Sequence, residues 1–154
     1  MEIILNDIER SIAKTLAKKR YAKNRDTNTV NKKIGNQSDE YTDLEGIASE
    51  IAFCKIFNIY PDFNLDDRPA ADCFLSDGSS VDVKSTKYKN GKLLCVPWKK
   101  PNVDLFALMI GEFPKYKYVG TMTSQELIQD KRLIDLGYGK SYGASQEELD
   151  KVSI

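Results

Sequence analysis

Residues 69–84 read Pro-Ala-Ala-Asp-Cys-Phe-Leu-Ser-Asp-Gly-Ser-Ser-Val-Asp-Val-Lys, and this stretch decides the fold. Two short apolar runs, Ala71 to Leu75 and Val81 to Val83, are broken by Ser76-Asp77-Gly78-Ser79-Ser80. Asp-Gly between apolar runs predicts a hairpin, because glycine, and to a lesser degree aspartate, tolerates the positive φ of a tight turn. Side chains alternate along a strand, so Val81 and Val83 share one face and Asp82 and Lys84 the other. The valines are expected in a core. Asp72, near the start of the first strand, is brought towards Asp82 by the hairpin. Two carboxylates and an ammonium on one patch can hold a divalent cation and activate a water beside it. A lone Asp-x-Lys, by contrast, is usually just the solvent face of a half-exposed strand, so the surrounding chain has to decide.

Working backward, Thr42 or Asp43 is expected to open a helix that runs to Phe57 or Asn58, with Thr42 and Glu45 as a capping box and Pro61 as the stop. This helix is apolar on nearly every side (Leu44, Ile47, Ala48, Ile51, Ala52, Phe53, Cys54, Ile56, Phe57), the pattern of a buried element. Glu50 lies within it, and its helical neighbours Gly46, Ile47, Phe53 and Cys54 include no base. A carboxylate so placed needs a partner from elsewhere in the fold or a raised pKa. A metal ion is the simplest partner, and an edge position reaching water is the plain alternative. Asn6 or Asp7 caps an earlier helix to about Arg20, with Ile8, Ile12, Ala13 and Leu16 on its apolar face. Residues 23–40 read as a long polar loop.

Working forward, Leu93 to Val96 is a third strand after a polar turn at 87–91. Val103 to Ile110 is apolar apart from Asp104, which predicts a strand covered on both faces. Tyr116 to Thr121 is a further strand, and Ser124 caps a short helix over 125–130. Gly139-Lys140-Ser141 is not a phosphate-binding P-loop: that motif needs a glycine where Ile134 stands, a strand before it and a helix directly after. Ser145 and Glu148 form an ordinary capping pattern.

Composition narrows the chemistry. The chain has 154 residues, 41% hydrophobic and 30% charged, which is most simply one globular domain over 1–154. No apolar run is long enough to span a bilayer and the early Ile3 to Leu5 run is no signal peptide, so no membrane partner is expected. Cys54, Cys73 and Cys95 are odd in number and set in apolar stretches, so they read as buried thiols of a cytoplasmic protein. Histidine is absent, which excludes His-dependent triads, metal sites and nucleases and leaves catalysis to carboxylates and lysine. Formal net charge is zero, yet residues 14–33 carry eight basic residues against one acid and residues 84–100 carry six lysines and no acid. Acids gather at 39–50 and 62–82 instead. Such segregation suits a cation site flanked by basic surface, though inert surfaces show it too.

In order, then, come a buried helix with Glu50, a strand with Asp72, a hairpin, Asp82-Val83-Lys84 and further strands. This order resembles the PD-(D/E)XK nuclease superfamily, with its restriction-endonuclease-like fold, and Gly46-Ile-Ala-Ser-Glu-Ile-Ala-Phe-Cys-Lys55 resembles the helix of small phage- and bacterial-type members. The resemblance covers roughly residues 43–122, leaving the first helix and the tail as additions. One departure is that the family's proline directly precedes its aspartate, whereas Pro69 stands two alanines before Asp72. The resemblance implies an α/β fold, a mixed β-sheet core flanked by helices. It implies a catalytic set of Glu50, Asp72, Asp82 and Lys84, and Mg²⁺ or Mn²⁺ held by Asp72, Asp82, the Val83 carbonyl and Glu50. The expected activity is hydrolysis of DNA phosphodiesters by an endonuclease, in a host's cytoplasm if phage-encoded. Lys18, Lys19, Arg20, Lys87, Lys99 and Lys100 are the expected backbone contacts. Nucleases of this size often need a homodimer to cut both strands. Two rival expectations are a non-catalytic nucleic-acid-binding or regulatory protein on the same fold, and a structural interaction protein whose Asp82 and Lys84 are only surface.

Overall fold

The computed structural model describes residues 1–26, 38–64, 70–99 and 101–151, with the side chain of Arg25 excepted. It is a mixed α/β structure. Strand β1 (Glu2–Ile4) leads into helix α1 (Asp7–Asp26), and α2 (Asp39–Phe57) follows. Then come β2 (Cys73–Phe74), β3 (Ser80–Thr86), β4 (Leu93–Cys95), β5 (Leu105–Glu112) and β6 (Lys115–Thr123). Helix α3 (Ser124–Leu127), β7 (Leu133–Asp135) and β8 (Lys140–Ala144) complete the chain, with single 3₁₀ turns at Asp130–Arg132 and Gln146–Glu148.

The main sheet has five strands in the order β1-β6-β5-β3-β2, and β4-β8-β7 form a second sheet of three. Among the described residues only β3 and β5 run parallel, with Val83 opposite Ala107 and Lys84 opposite Leu108; the other strand pairings there are antiparallel. Alternation then sorts side chains between two cores. On the helix side Val81, Val83, Ala107 and Met109 meet Ala13 and Ala17 of α1 and Ile47, Ala48, Ile51 and Phe53 of α2. On the opposite side Phe106, Leu108 and Met122 meet Leu93, Cys95, Leu127 and Tyr142. β5 is therefore covered on both faces, as its apolar run predicts. Asp104, which interrupts that run, accepts hydrogen bonds from the Ser80 amide (2.9 Å) and hydroxyl (3.0 Å), pinning the start of β5 to the start of β3.

The hairpin forms as expected: Cys73 pairs with Val81 and Phe74 with Ser80, and Gly78 takes φ of +91°. Helix boundaries differ from the expectation. The N-cap of α1 is Asn6, in a reciprocal pair with Glu9 (2.9 and 2.7 Å). The helix continues past Arg20 to Asp26 and includes residues 23–26 of the expected loop, while residues 27–37 lie outside the described residues. Ile8 is 72% exposed, and the buried stripe of α1 is centred on Ala13 and Ala17. Helix α2 starts before Thr42: Ser38 caps it by accepting the Tyr41 N–H at 3.1 Å, and Thr42 donates to the Ser38 carbonyl. Glu45, freed from capping, accepts the Phe113 N–H (2.8 Å) and the Tyr116 hydroxyl (2.7 Å) instead. The helix ends at Phe57 with Asn58 in the left-handed region (φ 53°). Thr123, not Ser124, caps α3. The Gly139-Lys140-Ser141 run falls in a turn and β8 with no helix directly after, and Ser145 with Glu148 makes the expected capping box.

The three cysteines are free and buried, and among the described residues no helix is long and apolar enough to cross a membrane. Because Phe106 is fully enclosed, Phe106→Ala should lower the unfolding free energy by about 3–5 kcal/mol, whereas Ile8→Ala should change it by less than about 0.5 kcal/mol. Urea denaturation of the two variants checks the two-sided core; equal effects would contradict it.

Candidate active site

Asp72 is where the candidate residues meet. It stands immediately before β2, its amide donates to the Val81 carbonyl at 2.8 Å, and its Oδ2 accepts the Val83 N–H at 2.7 Å. Where the two-residue strand β2 gives out, the Asp72 carboxylate thus takes over the next amide along the β3 edge. Burial raises its pKa well above the usual carboxylate range, and the nearby charges of Glu50 and Asp82 push it further. The Val83 amide and the Lys84 ammonium act the other way without cancelling the rise. Glu50, Asp82 and Lys84 therefore lie within electrostatic reach of Asp72, although the four come from α2, the approach to β2, and β3.

Asp82 and Lys84 lie on the face of β3 opposite Val81 and Val83, as alternation requires. Their side chains form an ion pair of 2.5 Å, with Asp82 10% and Lys84 36% exposed. Burial favours neutral Lys84, but Asp82 and then Asp72 outweigh it and hold the ammonium above its ordinary pKa. Lys84 is thus a firmly charged cation.

Glu50 has a protein partner. Arg20, reaching across from α1, presents its two terminal nitrogens to the two carboxylate oxygens at 3.2 and 3.5 Å. Both side chains are mostly enclosed, 17% and 12% exposed. Arg20 was expected on a nucleic-acid backbone, and Glu50 was expected to find a partner from elsewhere in the fold, most simply a metal ion. The fold instead pairs them, because α1 and α2 pack side by side, a contact between positions thirty residues apart. Glu50 and Arg20 also line a small cavity with Asp62 and Asn64.

A metal ion fits this donor set in kind: carboxylate oxygens and the Val83 carbonyl are hard ligands suited to Mg²⁺ or Mn²⁺. Three acids lie near one another, and the charges of Glu50 and Asp82 add to burial in raising the pKa of Asp72. As oriented, however, Glu50 faces Arg20, Asp82 faces Lys84 and one oxygen of Asp72 faces an amide. Among the described residues no three acids or cysteines are placed to hold a metal ion together.

Beside Lys84 opens a cleft of about 760 Å³, within the roughly 300–1,000 Å³ of ligand sites. Lys84, Lys87, Lys89, Lys92 and Lys99 line it, with Val83. Glu45 is the one acid among the lining residues, and it is occupied by Phe113 and Tyr116. Partial burial and the neighbouring Lys84 charge lower the pKa of Lys99, as expected where like charges are held together. Of the expected backbone contacts, Lys87 and Lys99 are here, exposed Lys18 and Lys19 are on α1, Arg20 is committed to Glu50, and Lys100 lies outside the described residues.

Some participants were not singled out from the sequence. Lys89 and Lys92 belong to the basic 84–100 segment, and their spacing was a usable signal. Buried Asp43, in contact with Asn24 at 3.2 Å and acting electrostatically on Lys99, was read only as a helix opener. Tyr41 and Tyr116 had no sequence signal: burial raises both hydroxyl pKa values, the more so beside Glu112 and Glu45 respectively.

Comparison of the chain with family models, with curated proteins and with solved structures returns no match in any of the three.

The Arg20–Glu50 pair makes a checkable claim. Arg20→Ala and Glu50→Ala should each lower the unfolding free energy by about 2–3 kcal/mol, less than a wholly buried pair because both keep some exposure. The double variant should lose less than the sum, with a coupling of about 1 kcal/mol or more. A coupling near zero in urea titrations would show that the pair contributes nothing.

Proposed function

We propose that this protein is a metal-dependent deoxyribonuclease of the restriction-endonuclease-like fold. The observation that carries the reading is the gathering of Glu50, Asp82 and Lys84 around Asp72, next to a cleft lined by five lysines. In support, the elements bearing these residues follow the order that the PD-(D/E)XK resemblance implies.

The residues that would hold Mg²⁺ or Mn²⁺ are Asp72 and Asp82, with the Val83 carbonyl and Glu50. When bound, the cation supplies positive charge beside the scissile phosphate and acidifies nearby water. Lys84 contributes a second, fixed positive charge at the wall of the cleft, suited to orienting the attacking water or to stabilising charge on the phosphoryl oxygens. Lys87, Lys89, Lys92 and Lys99 bind the phosphate backbone, a contact that is salt-sensitive and blind to sequence. Arg20 steadies Glu50 on α2 and so acts as a positioning residue.

A second reading, a non-catalytic nucleic-acid-binding protein on the same fold, is favoured by the inward pairing of the acids with Arg20 and Lys84. Purified protein incubated with plasmid, single-stranded and branched DNA in Mg²⁺, Mn²⁺ or EDTA separates the two. Under the nuclease reading, cleavage appears only with the metals. Asp82→Asn and Asp72→Asn abolish it with an unchanged circular dichroism spectrum, and Lys84→Ala slows single-turnover cleavage by on the order of a hundredfold. Binding without cleavage in every metal would leave the non-catalytic reading, and wild-type rates in either aspartate variant would remove the proposed site.

A further inference from the structure

The lysine cleft has an apolar floor, which a duplex backbone does not need. Leu94, Val96 and Leu136 line it together with the exposed ring of Tyr88. Trp98, the chain neighbour of Lys99, is 65% exposed. A duplex presents sugar and phosphate outward and keeps its bases stacked inside, so it can use the lysines but neither the floor nor the rings. Unpaired nucleotides use both, because every base has a face that stacks on an aromatic ring while its phosphate takes an ammonium.

The turn that presents Tyr88 is braced from several sides. The Tyr88 amide donates to Thr86 Oγ1 at 3.2 Å, and the Gly91 amide returns to the Tyr88 carbonyl at 2.9 Å. The Gln146 side-chain amide donates to the carbonyls of Lys89 and Gly91, both at 2.9 Å, tying the turn to the chain after β8. Any side chain at Gly91 would collide with Thr86, since a Cβ there comes within 2.3 Å of its methyl. The Lys87 ammonium sits over the Tyr88 ring, 5.6 Å from its centre, so one face of the ring already holds a cation and a base would stack on the other. A platform ordered in advance loses little entropy on binding.

We propose that this cleft binds unpaired DNA, stacking a base on Tyr88 above the apolar floor and holding the flanking phosphates with Lys87, Lys89, Lys92 and Lys99. The inference rests on the nuclease reading for the identity of the polymer and adds its strandedness: single strands, or the unpaired arms of branched DNA, are the substrate class.

Fluorescence anisotropy with a labelled oligothymidylate and a blunt duplex of equal length, in EDTA so that nothing is cut, tests it. Wild-type protein should bind the single strand at least tenfold more tightly. Tyr88→Ala should weaken that binding by roughly five- to a hundredfold, as for loss of one stacked base, and leave duplex binding within about twofold. Tyr88→Phe, which keeps the ring, should bind like the wild type and so control for folding of the turn. Equal affinity for both forms, or a Tyr88→Ala variant with unchanged single-strand affinity, overturns the proposal. A duplex that is bound and cut in Mg²⁺ while single strands are ignored also overturns it, yet leaves the nuclease reading standing. If neither DNA binds, both fall.

Discussion

Because β3 and β5 run parallel, the chain between them has to cross a face of the main sheet instead of turning back on itself. Among the described residues, 87–99 and 101–104 belong to that crossing, contributing β4 to the second sheet on the way. Several consequences follow. The crossing covers one face of β5, whose residues Phe106 to Met109 are buried. It also places the lysine-rich 87–99 segment beside the end of β3, so that Lys84, fixed by its strand, shares a cleft with Lys87, Lys89, Lys92 and Lys99. An antiparallel β3–β5 pair would let a short turn suffice, and these charges would have no reason to converge.

The charge balance around Asp72 depends on two cations supplied by different means. Lys84 comes from the same strand as Asp82, two residues on, which the pleat alone guarantees. Arg20 comes from another helix and reaches Glu50 only because small Ala13 and Ala17 let α1 lie close against α2. Taking carboxylates out of water is costly unless they are paired, and these two pairs offset much of that cost for Glu50 and Asp82. Asp72 accepts the Val83 amide, and burial and then the charges of Glu50 and Asp82 raise its pKa. Perturbed titration of this kind concentrates where function does, and Lys84, one of the charges acting on Asp72, lines the lysine cleft.

Backbone recognition by lysines supplies affinity but little selectivity. Under the proposed reading, selectivity for the form of DNA comes from the apolar floor and from Tyr88, whose turn is held by Thr86, Gly91 and Gln146. Division of labour between a charged rim and an apolar floor matches the general design of ligand clefts, in which a few polar groups orient what apolar surface binds.

Local rules were sufficient for much of the chain. Asp77-Gly78 between two apolar runs specified the hairpin, the alternation on β3 put Asp82 and Lys84 on one face, and the apolar run before Ile110 foretold a strand covered twice. These outcomes depend on residues a few positions apart, so the sequence carries them in full. The opening of α2 at Ser38 was missed because Thr42 and Glu45 make an equally good local cap, and tertiary demand by Phe113 and Tyr116 drew Glu45 away. The partner of Glu50, the parallel order of β3 and β5, and the cleft that collects the lysines all join residues distant in sequence. By itself the sequence determined which side chains share a strand face or a helix, since backbone geometry repeats at fixed periods. Only the tertiary structure decided which of those faces meet, because that choice rests on the packing of whole elements and leaves no periodic trace in the chain.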